Sequence, residues 1–281
     1  MKRKNKAAIK EPKTKIIKKN DNSAEPTDEL YWPFKHPVVL GRGGFGMVQL
    51  WYHHSKGTLF AGKSFKEDND YIKELELVKE LKHDNVIKYI HSYENQRAII
   101  YDICSTSLHD LLTNHIENKM GLSQSMLLKL IKDITSALNY LIYTLEIVHR
   151  DIKPSNILYD QQSNRFILAD FGLAVHFDSN TLQYEDVVCG TEEFIRPDLL
   201  QLNSCRDKIK IGISSEIWSL AITFFLAATG RHPFQSKLRR KWIDLAINRP
   251  DGCIHVTQEG EYMYSIDSYC RLSTYFKIDL F

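Results

Sequence analysis

Cysteine is sparse in this sequence, and the few cysteines lie far apart. The chain has five, which are Cys104, Cys189, Cys205, Cys253 and Cys270. No CxxC pair or Cys/His spacing typical of a zinc site occurs among them, and an odd number argues against a disulfide framework. We therefore exclude a disulfide-rich secreted domain and a zinc module, and we expect a cytoplasmic protein in a reducing compartment.

Long hydrophobic segments are also missing. The longest apolar run covers residues 217–229, which is shorter than the roughly 20 residues that a membrane-spanning helix needs. No apolar stretch follows the charged N-terminus, so the sequence predicts neither a signal peptide nor a membrane partner. We interpret the run at 217–229 as a helix buried in a protein core.

The net charge is only +2, but the positive charge is unevenly distributed. Nine of the first twenty residues are Lys or Arg, and the remainder of the chain is acidic. Residues 1–29 contain few large apolar side chains, so we predict a disordered basic tail. A nuclear-localisation signal or an acidic partner is an alternative role for this tail. Nothing outside residues 1–20 favours nucleic-acid binding, so we expect no specific nucleic-acid partner.

The pattern of apolar residues changes along the rest of the chain. Short β-rich runs predict strands at 38–40, 47–52, 59–65, 86–93 and 97–103, with a helix at 70–82. After Cys104 helical periodicity prevails, and Ser123 can cap a helix with one apolar face. The sequence therefore predicts an α+β domain at 30–281. Its small antiparallel β-rich N-terminal lobe covers about 31–103, and its larger helical C-terminal lobe covers about 104–281.

A glycine-rich turn lies between the first two of these strands. Gly41, Gly43 and Gly46 form a GxGxxG pattern, flanked by Leu40 and Val48. Glycines let backbone N–H groups approach phosphates closely. The pattern lies between strands instead of opening a helix, which argues against a dinucleotide-binding crossover. Taken alone, it is equally consistent with an ordinary turn.

A lysine in the next predicted strand is a second candidate. Lys63 could pair with the α- and β-phosphates of ATP if it is buried. An ion pair with a carboxylate of the following helix would orient it. Glu74, eleven residues further on, is the preferred partner because it lies nine residues before His83. Glu76 and Glu80 are rival partners.

The segment at 149–156 is the most specific signal. It reads HRDIKPSN, and chance occurrence of its fixed residues is below about one in 10⁵ at ordinary residue frequencies. Asp151 can accept the proton of an attacking hydroxyl, Lys153 can neutralise the γ-phosphate, and Asn156 can hold Mg²⁺. An Asp-Phe-Gly triplet follows, and its Asp170 is a second oxygen ligand for Mg²⁺.

On these motifs the chain resembles the eukaryotic protein kinase family over residues 31–281. Lys153 and the Gly-Thr pair at 190–191 resemble the serine/threonine branch, in which Thr191 would hydrogen-bond to Asp151 and Lys153. A narrower resemblance is to the IκB-kinase-related group, to which TANK-binding kinase and IκB kinase epsilon belong. It rests on residues 59–61, 120–122, 190–198, 218–219, 227–230 and 248–254. That group phosphorylates serines on innate-immune adaptors and transcription factors, so the resemblance implies protein substrates and adaptor partners.

The resemblance also implies an adenine site. Tyr101 occupies the gatekeeper position, where its bulk would narrow the pocket behind adenine. The backbone of the hinge at Asp102 and Cys104 would bind the adenine ring. Three apolar side chains would sandwich that ring, namely Val48, Ala61 and Leu158.

The activation segment departs from the group. Val187 stands where the group has its activating serine, and Glu185 and Asp186 precede it. We hypothesise that these acids partly replace a phosphate, although a carboxylate carries less charge. Three alternative phosphorylation sites lie nearby, namely Ser179, Thr181 and Tyr184.

The C-terminal lobe departs from the family as well. Glu216 replaces a buried Asp, which we expect to be tolerated. Only 27 residues follow Ile254, and we assign none of them as the arginine that pairs with the residue at Asp198, so we expect a truncated or divergent lobe. This leaves a second hypothesis, a pseudokinase or regulatory scaffold without turnover. Against it stand the retained motif residues Lys63, Glu74, Asp151, Asn156, Asp170 and Gly172.

Overall fold

The computed structural model describes residues 30–31, 38–53, 56–114, 121–202, 208–233, 255–256 and 262–263, and the predicted basic tail lies outside them. The N-terminal lobe is an antiparallel sheet in the order β1-β3-β4-β6-β5, with β2 also paired to β3. Its strands are β1 (Leu30–Tyr31), β2 (Val39–Arg42), β3 (Gly46–His53), β4 (Thr58–Phe65), β5 (Tyr89–Tyr93) and β6 (Ala98–Asp102). The predicted β-rich lobe is confirmed.

One helix, α1 (Asp68–Glu80), lies against this sheet. It buries Tyr71, Glu74, Leu77 and Val78, which share one helical face. The N-terminus of α1 has no side-chain cap, because the side chain of the N-cap residue Glu67 accepts no hydrogen bond from the first turn. Packing of this face against the sheet therefore stabilises the helix and determines its position.

The strand predicted at 86–93 is wrong in its first part, since β5 begins only at Tyr89. Val86 and Ile87 are buried, and the Ile87 amide donates to the carbonyl of Leu168 at 2.9 Å. Leu168 belongs to the C-terminal lobe. These residues therefore take their backbone partner from the other lobe and tie the two lobes together.

The C-terminal lobe contains four α-helices among the described residues. They are α2 (Leu108–Asn114), α3 (Gln124–Asn139), α4 (Pro197–Leu202) and α5 (Ser214–Thr229). The predicted cap of α3 is confirmed, because Ser123 Oγ accepts a hydrogen bond from the Met126 amide at 3.4 Å. Helix α5 packs in the main core beside α3, which confirms the buried helix expected at 217–229. Within the part of the chain that is described, none of the helices combines the length and apolarity that crossing a bilayer requires.

The described chain after β6 also contains nine short strands. They are β7 (Thr106–Ser107), β8 (Ile147–Val148), β9 (Ile157–Asp160), β10 (Arg165–Leu168), β11 (Val175–His176), β12 (Gln183–Asp186), β13 (Ile209–Gly212), β14 (His255–Val256) and β15 (Tyr262–Met263). Strands β7, β9 and β10 form one sheet, β8 pairs with β11, and β12 pairs with β13. The HRDIKPSN loop joins β8 to β9, and the Asp-Phe-Gly triplet follows β10.

The two faces of the N-terminal sheet have different surroundings. On one face Trp51 is 2% exposed, stacks on Tyr93 and packs over Gly62, where an added Cβ would lie 2.3 Å from Trp51 Nε1. Side chains alternate along a strand, so Lys63, next to Gly62, points to the opposite face. The close approach of Trp51 thus explains the glycine beside this lysine.

Candidate active site

The glycine-rich turn between β2 and β3 is closed by a hydrogen bond from the Gly43 amide to the Gly46 carbonyl at 2.9 Å. A Cβ at Gly46 would lie 1.9 Å from the Ser64 carbonyl oxygen, so β4 itself requires a glycine there. Cβ atoms added at Gly41 and Gly43 would meet nothing within 4 Å, which leaves space for a ligand. Packing within the protein therefore requires the glycine at Gly46 and does not by itself require those at Gly41 and Gly43.

Lys63 lies between two carboxylates. Its Nζ is 2.6 Å from Glu74 Oε2 on α1 and 2.5 Å from Asp170 Oδ1 of the Asp-Phe-Gly triplet. The rival partners Glu76 and Glu80 are exposed on α1. The structure thus brings Lys63, Glu74 and Asp170 together from a strand, a helix and a loop.

Lys63 interacts electrostatically with both carboxylates. Burial acts to lower the pKa of Lys63, but Glu74 and Asp170 raise it above its ordinary value, so the ammonium stays protonated. Burial raises the pKa of Glu74 despite the nearby lysine. Burial also acts to raise the pKa of Asp170, but the charge and hydrogen bond of Lys63 hold it below its ordinary value.

The predicted adenine-site residues line one side of the sheet and the segment after it. Val48 pairs with Lys63 across β3 and β4, and Ala61 pairs with Tyr101 across β4 and β6, so their side chains share one face. All of the residues predicted to surround adenine are at least partly accessible: Leu40, Val48, Ala61, Asp102, Cys104 and Leu158. Burial and the charges of Asp160 and Asp102 raise the pKa of Cys104 to about 12, so its thiol stays protonated.

The catalytic-loop residues form a closed network around Asp151. Its Oδ1 accepts hydrogen bonds from the Thr191 amide at 3.0 Å and from Thr191 Oγ1 at 2.8 Å. Its Oδ2 accepts from Asn156 Nδ2 at 2.9 Å and lies 2.7 Å from Lys153 Nζ. Lys153 also donates to Thr191 Oγ1 at 2.6 Å. The hydrogen bonds predicted for Thr191 are confirmed.

Glu216 of α5 holds the backbone of this loop by two hydrogen bonds. Its Oε2 accepts from the His149 amide at 2.9 Å, and its Oε1 accepts from the Arg150 amide at 2.8 Å. Glu216 is 2% exposed, and burial raises its pKa. The extra methylene is therefore accommodated, because both carboxylate oxygens reach backbone donors of the loop.

The activation segment is attached to the catalytic loop by Arg150. Arg150 Nη1 contacts Asp186 Oδ2 at 2.7 Å, and Nη2 donates to the Val187 carbonyl at 2.8 Å. Its side chain is only 3% exposed. Burial acts to raise the pKa of Asp186, but the Val187 amide and Arg150 hold it below its ordinary value. Glu185 instead lies exposed, opposite Lys210 in the β12–β13 ladder.

The three alternative phosphorylation sites differ in accessibility. Ser179 and Thr181 are exposed, whereas Tyr184 is 9% exposed and its ring packs 5.2 Å from the Arg150 guanidinium carbon. Burial raises the pKa of Tyr184 to about 12. Tyr184 is therefore a packing residue in this arrangement, and only the other two are open to a modifying enzyme.

One partner was missed from the sequence. Asp198, expected to lack its arginine, receives Nε and Nη2 of Arg196 at 2.6 Å and 2.7 Å. Arg196 also donates to Ser214 Oγ at 2.7 Å and so links this residue to the start of α5. The Arg-Pro-Asp sequence could have predicted this ion pair, since Arg196 lies only two residues before Asp198.

The donor set suits a hard cation. Asp170 lies at the edge of the cleft with 44% of its side chain exposed, and the hydrogen bonds of the Asn156 amide use its nitrogen. Carboxylate and amide oxygens are ligands that Mg²⁺ accepts, with phosphates and water completing its shell. Among the described residues no group of three or more His, Cys, Asp or Glu is arranged to bind a metal ion. Asp170 and Asn156 would therefore supply only part of the coordination shell of Mg²⁺.

Comparison with known proteins gives a family and a set of relatives. The family described as protein kinase domain matches residues 34–270. The inhibitor of nuclear factor kappa-B kinase subunit epsilon of Mus musculus is 30% identical over 260 residues, covering 84% of this chain and 36% of that protein. Subunit alpha of Gallus gallus is 30% identical over 222 residues, covering 74% of this chain and 28% of that protein. The chain spans about a third of the length of the curated relatives it matches.

Proposed function

The chain belongs to the protein kinase family and resembles the IκB kinases, and from this premise we propose that it is an ATP-dependent serine/threonine kinase. It transfers the γ-phosphate of ATP to a hydroxyl of a protein substrate. The observation that carries the proposal is the hydrogen-bonded assembly of Asp151, Lys153, Asn156 and Thr191 beside the Lys63–Glu74–Asp170 cluster. Such an arrangement supplies a base, positive charge and metal ligands within one cleft.

Each residue has a role that its contacts support. Asp151 orients the substrate hydroxyl and accepts its proton, while Lys153 and Lys63 neutralise phosphate charge. Glu74 orients Lys63. Catalysis is then mostly positioning and charge stabilisation, because the phosphoryl transition state is loose.

The nucleotide lies beneath the glycine-rich turn in this proposal. Gly41 and Gly43 leave room for the phosphates to approach the backbone of the turn, with Leu40 and Val48 beside them. Asn156 and Asp170 would hold Mg²⁺, which supplies neutralising charge at the phosphates. Adenine would bind the backbone at Asp102 and Cys104, between Val48, Ala61 and Leu158.

The resemblance to the IκB kinases supports a role in innate-immune or inflammatory signalling in the cytoplasm. Proteins carrying Ser or Thr are then its substrates, and adaptor proteins are its partners. The named relatives act as kinases of an inhibitor of nuclear factor kappa-B.

We propose that Asp186 takes the place of an activating phosphate. Phosphorylated activation segments are commonly ordered by an arginine that binds the phosphate. Here Arg150 already pairs with Asp186 at 2.7 Å and also binds the Val187 carbonyl. The β12–β13 ladder holds the same segment from its other side. Glu185 does not share this role, because it lies on the solvent side of the ladder.

Phosphorylation of a peptide series tests the substrate class. The same generic peptide is prepared with Ser, Thr, Tyr or Ala at one position, and labelled phosphate from Mg-ATP is measured on each. We expect transfer to the Ser and Thr peptides and background levels on the Ala peptide. Transfer that prefers the Tyr peptide would contradict the serine/threonine assignment while leaving the kinase assignment intact.

A further inference from the structure

The carboxylate of Glu74 is held from two directions. Lys63 Nζ contacts Oε2 at 2.6 Å, and the Tyr101 hydroxyl donates to Oε1 at 2.7 Å. Glu74 is 1% exposed and Tyr101 is 7% exposed, so water does not compete for these bonds. The tyrosine therefore contributes a buried, charge-assisted hydrogen bond to the group that orients Lys63.

The phenol is a dependable donor. Burial, the charge of Glu74 and the hydrogen bond to it raise the pKa of Tyr101 well above its ordinary value, so the hydroxyl keeps its proton at neutral pH. The backbone of this tyrosine is held on both sides, because Tyr101 lies in β6, where it pairs with Ala61 of β4 and with Tyr89 of β5. A fixed donor is thus aimed at a side chain of α1.

The hydrogen bonds to Glu74 attach helix α1 to the sheet. Its N-terminus has no side-chain cap, and Glu74 lies in its second turn. The two bonds to Glu74 connect the helix to β4 through Lys63 and to β6 through Tyr101. If the carboxylate moved, Lys63 would lose its orientation toward Asp170.

We propose that Tyr101 is a positioning residue for phosphate transfer, an inference that rests on the proposed kinase activity. Its hydroxyl holds Glu74, and thereby α1, in the position that aims Lys63 into the cleft. This role differs from filling the space behind adenine, which the ring alone performs. The hydroxyl and the ring can therefore be separated experimentally.

Tyr101→Phe removes the hydroxyl and keeps the ring. Tyr89→Phe is the matched control, because Tyr89 lies opposite Tyr101 on β5 and its hydroxyl contacts Ser92 Oγ at 3.1 Å instead of the cluster. We expect Tyr101→Phe to raise the KM for Mg-ATP about tenfold and to leave kcat within about twofold, since Lys63 would bind phosphate less well in both the ground and transition states. Tyr89→Phe should change neither constant.

A double-mutant cycle tests the route of the effect. In the Glu74→Ala background, adding Tyr101→Phe should change the KM for Mg-ATP by less than about twofold, because the shared bond is already gone. A full tenfold effect in that background, or equal KM values for the Tyr101→Phe and Tyr89→Phe enzymes, would overturn the proposal.

Hydrogen exchange separates this proposal from the kinase activity. The α1 amides around Leu77 and Val78 should exchange at least about fivefold faster in Tyr101→Phe than in Tyr89→Phe, since losing the hydroxyl frees the helix. This readout requires no turnover. Unchanged exchange overturns the positioning role, whereas faster exchange in a protein that transfers no phosphate supports it and refutes only the proposed activity.

Discussion

Replacing Asp151 by Asn is expected to lower kcat for phosphate transfer by about 10²- to 10⁴-fold, the range that a positioned general base contributes. The carboxylate accepts from Thr191 and Asn156 and contacts Lys153, all of which are donors. An Asn side chain offers one acceptor oxygen, so its amide group would face donors and could take no proton. ATP affinity should change by less than about threefold, because the residues proposed to bind the nucleotide are retained.

The control for this substitution is Asp84→Asn. Asp84 is 75% exposed and pairs with Arg165 at 2.9 Å on the surface, far from the network of Asp151. It should retain full activity. The same substitution, tested in cells, separates an enzyme from a scaffold. If the protein with Asp151→Asn kept its biological effect in cells, the pseudokinase hypothesis would replace the kinase proposal.

Replacing Asp186 by Asn is expected to lower kcat/KM for the protein substrate by about 10- to 100-fold. Arg150 has only 3% of its side chain exposed, so the substitution leaves a buried guanidinium without its ionic partner, a loss worth about 1.5–3 kcal/mol for a hydrogen bond between charged groups. Around Arg150, the activation segment would then keep the bond to the Val187 carbonyl and the contact with the ring of Tyr184, but not the ion pair.

Glu185→Gln is the matched control, since it removes one negative charge from the neighbouring residue. Glu185 is exposed and lies opposite Lys210, so its loss should change kcat/KM by less than about twofold. Asp186→Glu should recover part of the activity because it restores the carboxylate. Treatment with phosphatase should leave the original protein fully active. A large loss of activity after that treatment would show that a phosphate, at Ser179 or Thr181 for example, is required instead of Asp186.

The residues of the candidate site could be named from the sequence because the chemistry proposed for them restricts both residue type and spacing. Asp151, Lys153 and Asn156 lie within one loop, so their relation is local and can be read directly. Glu74 was chosen over two rivals by its distance along the chain, and its burial beside Lys63 bears that choice out. The apolar face of α3 followed from helical periodicity and the helix at 217–229 from a continuous apolar run, and both are local signals.

The supporting contacts could not be predicted, because they join residues distant in sequence. Tyr101 and Glu74 are 27 positions apart, and Glu216 and the His149 amide are 67 apart. Only the fold brings such pairs within hydrogen-bonding distance, and a pattern in the sequence does not specify which hydroxyl or carboxylate will face the other. The predicted strand at 86–93 failed for a related reason, since its first residues pair with the other lobe.

The hypothesis that acids replace a phosphate named two residues, Glu185 and Asp186. The acids near Val187 suggested a substitute for phosphate, but their positions along the chain did not distinguish Glu185 from Asp186. Strand alternation decides this, because adjacent residues of β12 point to opposite faces and only Asp186 faces Arg150.

The most direct test of the central claim is transfer of radiolabelled phosphate from Mg-ATP by the 281-residue chain to itself and to a serine peptide, compared with Asp170→Asn. Asp170 is the exposed carboxylate beside Lys63, so its loss should remove the proposed metal ligand and lower transfer about 100-fold or more. Transfer by the original chain that is lost in the variant is the result we predict. Nucleotide binding without any transfer, or equal transfer by both proteins, would contradict the assignment as a kinase that uses this cleft.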